Sequence, residues 1–249
     1  MTAARILLLD IETAPNRAYV WGLFDQNIAH DQVEESSYVL CWCAKWLGGK
    51  TVQFKSRQRN DAKSMLAPVH KLLGEADAVV HYNGLKFDIP VLQKEFLKHG
   101  FAPPAPFKQI DLMLGVKRAF RFESNKLDYV AGALGLGSKV RHSGFEMWVR
   151  CMNNDAAAWR EMETYNRGDV TLLEKLYQRL LPWLEKHPNM STLTGGDECC
   201  PKCGSTSVQK RGTAVAVTRK YTRYQCQACG GWFRSTRSVH GAATTLIGA

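Results

Sequence analysis

Two short cysteine units, Cys200-Pro201-Lys202-Cys203-Gly204 and Cys226-Gln227-Ala228-Cys229-Gly230, divide this chain into parts that must fold by different means. Each places two thiols on a tight turn that glycine permits, with 22 residues between the pairs. No basic region followed by an apolar stretch and a small-residue cleavage site opens the chain, so the expected compartment is the reducing cytoplasm. In that setting the spacing points to a metal before disulfides, and four thiolates satisfy a tetrahedral Zn²⁺. The register favours Cys200 over Cys199 as a ligand, and Cys41, Cys43 and Cys151 read as small buried apolar groups. Roughly 40 residues around such a site have too little core to fold alone, so one structural Zn²⁺ is expected.

The rest of the chain reads as one α/β domain. Hydrophobic residues make up 45% and charged residues 22%, a balance that argues against disorder. No apolar run approaches the roughly 20 residues needed to span a bilayer, so no membrane partner is expected. Arg5 to Asp10 form a short apolar run ending in a carboxylate, the pattern of a strand buried on both faces. Strands are predicted over Tyr38–Leu47 and Thr51–Lys55, joined at Gly48-Gly49 as a hairpin. Met65–Leu73, Ile89–Leu97 and Lys126–Leu136 carry helical spacing, whereas Ala78–Tyr82 and Phe107–Met113 read as strands. A long helix is predicted over Asp155–Trp183, capped by Asn154 or Asp155. Three strands followed by alternating strands and helices give a mixed sheet flanked by helices. The expected organisation is a domain over 1–187, a linker over 188–198 rich in turn-forming residues, a four-cysteine module over 199–240 and a tail over 241–249. Within the module, Val215–Val217 and Tyr221–Gln225 alternate as strands.

Asp10 and Glu12 stand two apart at the end of the first strand, so both side chains leave one face, about 7 Å apart by strand rise. Two acids so placed repel each other, and an isolated Asp-x-Glu is most often a strand running into a polar loop. The long helix supplies a further acid. Met162, Tyr165, Asp169, Leu172 or Leu173, Leu176 and Leu180 recur at spacings of three and four, which puts Asp169 on the face that packs against the sheet. An unpaired carboxylate there is costly or takes up a proton, and a bound cation resolves the cost. Tyr165, one turn earlier on the same face, is either a core aromatic or a group that reaches a water beside Asp169. Asp88 reads as a helix cap or as a ligand, because strand ends and helix starts of an α/β sheet are where ligands are met.

Asp10-Ile11-Glu12-Thr13, Asn83 through Phe87-Asp88, and Tyr165-x-x-x-Asp169 together resemble the three exonuclease motifs of the DEDD superfamily, tyrosine subtype, over roughly residues 5–185. Trp21 through Ile28, Asn125 through Tyr129 and Gly135-Leu136-Gly137 resemble exonucleases related to family-B DNA polymerase proofreading domains, common in phage genomes. The resemblance implies an α/β, RNase H-like fold and 3′-5′ removal of nucleotides from DNA ends. It also implies two Mg²⁺ or Mn²⁺ ions, which hard carboxylate oxygens suit. By the same resemblance Asp10 bridges both ions, Glu12 and Asp169 complete the nucleophile-side ion, Asp88 supports the other through water, and Tyr165 orients the attacking water. Thr13, Asn83 and Phe87 are expected in the substrate cleft, with the Phe87 ring offered to a terminal base. A DNA polymerase or other replication protein is an implied partner, and a phage-encoded chain would work in host cytoplasm.

The cysteine module resembles a zinc ribbon. The formal net charge of +10 favours a polyanionic partner. Lys210, Arg211, Arg219, Lys220, Arg223 and Trp232 are expected to bind the phosphates and bases of a single strand, with protein docking as the alternative. Three readings of function follow: a DNA 3′-5′ exonuclease whose ribbon grips the strand, a 3′-5′ exoribonuclease using the same site, and a non-catalytic nucleic-acid-binding adaptor. Occupation of all five site positions by the required residue types favours an enzyme.

Overall fold

The computed structural model describes residues 4–194 and 199–243. The chain divides into two compact units, one over Arg5–Leu176 and one built mainly from Tyr177 onward.

The first unit opens with β1 (Ile6–Thr13), then a small ribbon of β2 (Arg17–Ala18) and β3 (Val33–Glu35), then β4 (Val39–Trp46) and β5 (Val52–Ser56). It continues through α1 (Ala62–Gly74), β6 (Ala78–His81), α2 (Asp88–Lys98), β7 (Lys108–Asp111), α3 (Leu112–Ala119), α4 (Leu127–Ala133), α5 (Phe145–Met152) and the long α6 (Ala156–Leu180). The sheet has five strands in the order β5-β4-β1-β6-β7. β4 runs antiparallel to both β5 and β1, whereas β1, β6 and β7 are parallel. This is the mixed α/β, RNase H-like architecture expected from the sequence.

Ile6 to Leu9 are all buried because β1 is central and covered on both faces. Leu7, Leu9 and Ile11 pack with Met65, Leu66 and Val69 of α1 and with Leu92 and Phe96 of α2. The opposite face carries Leu40 and Cys41 against Met147 of α5 and Trp159, Met162 and Tyr165 of α6. Strand alternation therefore sends Asp10 and Glu12 toward the α5 and α6 side.

Several boundaries differ from expectation. The strand predicted over Phe107–Met113 stops at Asp111, whose Oδ1 accepts from the amides of Met113 and Leu114 and caps α3. Leu112 and Met113 are thus helical. The helix predicted to Leu136 ends at Ala133, and Gly135 adopts φ +68° just beyond it. α6 is capped by Asp155, whose Oδ1 accepts from Ala157 and Ala158, and passes into a 3₁₀ turn, Leu181–Trp183, at Pro182.

In the second unit, β8 (Val208–Val215), β9 (Arg219–Cys226) and β10 (Trp232–Ala243) form an antiparallel sheet in the order β10-β9-β8. The strand expected over Val215–Val217 is instead the end of β8 and a turn, closed by the Ala216 amide on the Arg219 carbonyl. A one-turn helix, α7 (Met190–Thr194), lies within the expected linker. Residues 195–198 of that linker and residues 244–249 of the expected tail lie outside the described residues.

Candidate active site

One oxygen each from Asp10, Glu12 and Asp169 lie within 4.8 Å of one another, where the end of β1 faces the middle of α6. Each of these carboxylates has one oxygen fixed by a protein donor. Asn166 Nδ2 donates to Asp10 Oδ2 at 2.5 Å, and Trp148 Nε1 on α5 donates to Glu12 Oε2 at 3.1 Å. Lys139, in the segment between α4 and α5, donates from Nζ to Asp169 Oδ2 at 2.5 Å and to the Tyr165 hydroxyl at 2.9 Å. The other Asp169 oxygen, Oδ1, is buried with no partner among the described residues. A protein normally avoids such an orphaned acceptor, so this oxygen is where an absent ligand would bind.

Asp88 arrives from the other edge of β1. The last β1–β6 pair is Leu8 with Val80, so beyond it the β6 edge of β1 lacks a strand partner. Asp88, at the first position of α2, accepts the Ile11 amide on Oδ1 at 3.1 Å. It is buried and lies outside the three-carboxylate group, yet close enough that its charge acts on Asp10.

All four acids are held above the ordinary carboxylate range. Burial is the main cause for Asp10, followed by the charges of Asp88, Glu12 and Asp169, with Lys139 opposing. Burial and then Asp169 push Glu12 to about 7. Burial pushes Asp88 to about 7 against the stabilising Ile11 amide. Burial also raises Asp169, opposed by Lys139 and Tyr165. Burial pulls Lys139 down, but its contacts with Asp169 and Tyr165 win and hold it above its usual value, so one cation stands among four acids. Burial and the Asp169 and Glu12 charges raise the Tyr165 hydroxyl, which therefore keeps its proton at neutral pH.

The donor set fits divalent cations of the Mg²⁺ or Mn²⁺ kind. The oxygens are hard, the group lacks histidine and thiol ligands, and the orphaned Asp169 Oδ1 together with the raised acids shows a deficit of positive charge. Lys139, Trp148 and Asn166 were missed in the sequence. Asn166 was accessible in principle, since it stands three residues before Asp169 on one helix. Lys139 and Trp148 reach the site from irregular chain and a short helix, which no spacing announces. His142 packs edge-on to Tyr165 at 4.7 Å and to Trp148 at 5.2 Å, bracing both rings.

The remaining expected site residues are spread more widely. Thr13 follows a β-bulge at the end of β1. Asn83 takes φ +70° and donates its amide to Asp111 Oδ1, and Phe87 lies half-exposed beside Asp88. Trp21, Leu23 and Phe24, between β2 and β3, are exposed.

The thiols of Cys200, Cys203, Cys226 and Cys229 form a second group within 4.8 Å. Cys200 and Cys229 sulfurs are 3.7 Å apart, and those of Cys203 and Cys226 are 3.6 Å apart. Tetrahedral Zn²⁺ with Zn–S of about 2.3 Å sets sulfurs about 3.8 Å apart, far from a disulfide length. The amides of Lys202, Cys229 and Gly231 point at ligand sulfurs, as zinc knuckles require. The cluster fits a zinc ribbon with Cys200 in the ligand position. Of the expected strand-binding residues, Lys210 and Arg211 lie on β8, and Arg219, Lys220 and Arg223 on β9, all exposed. Arg223 stacks over the half-exposed ring of Trp232 at 5.1 Å.

A mixed five-stranded sheet that gathers carboxylates at the end of its central strand defines an α/β protein with an acidic site whose oxygens suit divalent cations. A family model described as the RNase_H superfamily matches residues 7–181, and the chain belongs to that superfamily. Among solved structures it is similar to the family B DNA polymerase from the hyperthermophilic archaeon Pyrobaculum calidifontis, at 16% identity and a TM-score of 0.54. That match covers 90% of this chain and 33% of the polymerase, so the chain spans about a third of the polymerase's length. No curated protein matches the sequence.

Proposed function

We propose that the chain is a metal-dependent 3′-5′ exonuclease of the DEDD type, tyrosine subtype, that removes nucleotides from DNA ends, preferably single-stranded. The observation that carries this reading is the buried, unpartnered Asp169 Oδ1 within a group of carboxylates that lack sufficient counter-charge. Asp10, Glu12 and Asp169 would hold one divalent cation, with Asp10 and Asp88 serving a second. Two such ions, when bound, supply an activated water and offset charge on the leaving oxygen.

The chain's own groups set the geometry. Asn166, Trp148 and Lys139 fix one oxygen of each carboxylate, so the remaining oxygens are aimed before any cation arrives. Tyr165 retains its proton and orients the attacking water, with Lys139 fixing its hydroxyl. Thr13, Asn83 and Phe87 would line the path of the terminal nucleotide. Catalysis is assigned to residues 1–187 and strand grip to the zinc ribbon over 199–240, through Lys210, Arg211, Arg219, Lys220, Arg223 and Trp232. Replication or repair in a phage or bacterium, beside a polymerase, is the setting this activity suits.

The test uses 5′-labelled and 3′-labelled DNA and RNA strands with Mg²⁺, Mn²⁺ or EDTA, comparing wild type with Asp10→Ala. Stepwise shortening of the 5′-labelled DNA, lost in EDTA and in the variant, is expected, with RNA slower. Internal cuts, or digestion that persists in Asp10→Ala, contradict the assignment, and faster RNA digestion makes it an exoribonuclease.

A further inference from the structure

A cavity of about 360 Å³ opens between the end of β5, the turn that follows it and the first turns of α6. It shares no residue with the carboxylate group. Three cations, Lys55, Arg59 and Arg160, line it, and none has an acidic partner among the described residues. Its one lining acid, Glu163, is already held by Arg167 through two contacts of 2.8 Å. The wall also contains Trp159, only 3% exposed, whose indole N–H has no acceptor among the described residues. Three cations without acidic partners around one cavity leave a positive charge that an anion would answer.

Size narrows the class. Pockets for small organic ligands run from about 300 to 1,000 Å³, so this one is larger than a lone oxyanion needs and close to the size for a nucleotide. Phe54 supplies ring surface beside the cations. A metal cation is excluded by the sign of the lining charge, and an apolar ligand would leave the guanidinium groups unanswered.

We propose that this cavity is a nucleotide-phosphate site distinct from the carboxylate cluster, in which Arg59, Arg160 and Lys55 take the anion. The phosphate belongs either to a free mononucleotide or to a strand passing the edge of the sheet. The site stands independently of the exonuclease reading, because its evidence lies in other residues.

Calorimetric titration of the zinc-loaded full chain, in chelator-free buffer without Mg²⁺ or Mn²⁺, with dAMP, and separately with a ten-nucleotide oligothymidylate, tests it without hydrolysis. The proteins compared are wild type, Arg59→Gln/Arg160→Gln, Trp159→Phe, and a charge-matched control, Lys175→Gln/Arg179→Gln. Arg59 and Arg160 are exposed, so the double variant should keep its fold. Loss of two charge-assisted contacts should weaken binding about tenfold or more, and Trp159→Phe, which removes no lining charge, should stay within about threefold of wild type. Loss of dAMP affinity identifies the free nucleotide as the source; loss confined to the oligonucleotide identifies a strand phosphate. A double variant within threefold of wild type for both ligands, or one no weaker than the control pair, overturns the proposal. Because Asp10 is intact in every protein here, a failure of the exonuclease assignment leaves this result unaffected.

Discussion

The two units of the chain hold their metal-ligand groups in opposite ways. In Arg5–Leu176 a sheet with buried residues on both faces, from Leu7 to Phe96 and from Leu40 to Tyr165, stands by packing alone, and the carboxylates are a strain upon it. In the cysteine module the only buried residues among those described from 199 onward are Cys200, Cys226 and Gly231. Two of the three belong to the four-thiol group. On the proposed function, the first unit would need a cation for chemistry, whereas the second would need one to complete its small core.

The sharpest way to break this contrast is to strip zinc. Structural zinc contributes about 10 kcal/mol or more in small modules. Chelation, or Cys226→Ser, should erase the dispersed amide signals of residues 208–239 while leaving those of Arg5–Leu176 in place. If both sets vanish together, the units are not independent in stability.

Next in size is the pair Lys45 and Glu174, joined by a short contact and both largely buried. Glu174 also accepts the Gly48 amide at 2.9 Å. Lys45→Met leaves that acid without its cation and should lower the stability of the first unit by about 3 to 5 kcal/mol, seen in urea unfolding. An unchanged midpoint would show that packing there tolerates an unpaired charge.

A third effect falls on the second unit. Burial lowers His187 to about 4, and its Nε2 lies 2.9 Å from the Tyr177 hydroxyl. The unfolded chain takes up the proton at a higher pH than the folded one. The stabilising contribution is therefore complete above about 6.5 and is lost as pH falls toward 4, amounting to roughly 3 kcal/mol. Thermal unfolding of wild type at pH 7.5 and pH 5 should show this loss, and His187→Gln should flatten it. A variant as pH-sensitive as wild type rules out His187 as the cause.

The smallest expected change has the opposite sign. Glu12→Gln keeps an acceptor for Trp148 but removes one buried charge. In EDTA at neutral pH it should stabilise the first unit by about 1 kcal/mol, while hydrolysis falls at least a hundredfold. Destabilisation would mean that Glu12 supports the fold, contrary to the contrast drawn above.

The periodic elements were legible in the sequence because their pattern is set by burial. The apolar run before Asp10, the stripe through Asp169 and the Gly48-Gly49 hairpin all record which face meets the core. The cysteine spacing was legible because knuckle geometry is local. Phe107–Met113 misled because Ile110, Leu112 and Met113 suit strand or helix equally until the Asp111 cap is seen. Lys139 was invisible because only tertiary structure brings an irregular segment 30 residues earlier onto Asp169. The cavity beside Trp159 was hidden for the same reason, since its two sides are about a hundred residues apart in the chain.

The central claim, that the acids form a two-cation site with its ligands aimed in advance, is tested most directly by counting Mn²⁺ bound to zinc-loaded protein by electron paramagnetic resonance. Two Mn²⁺ per chain are expected for wild type, falling to one or none in Asp10→Asn and Asp169→Asn with zinc content unchanged. Binding that is equal in wild type and both variants would place the cations elsewhere and contradict the account.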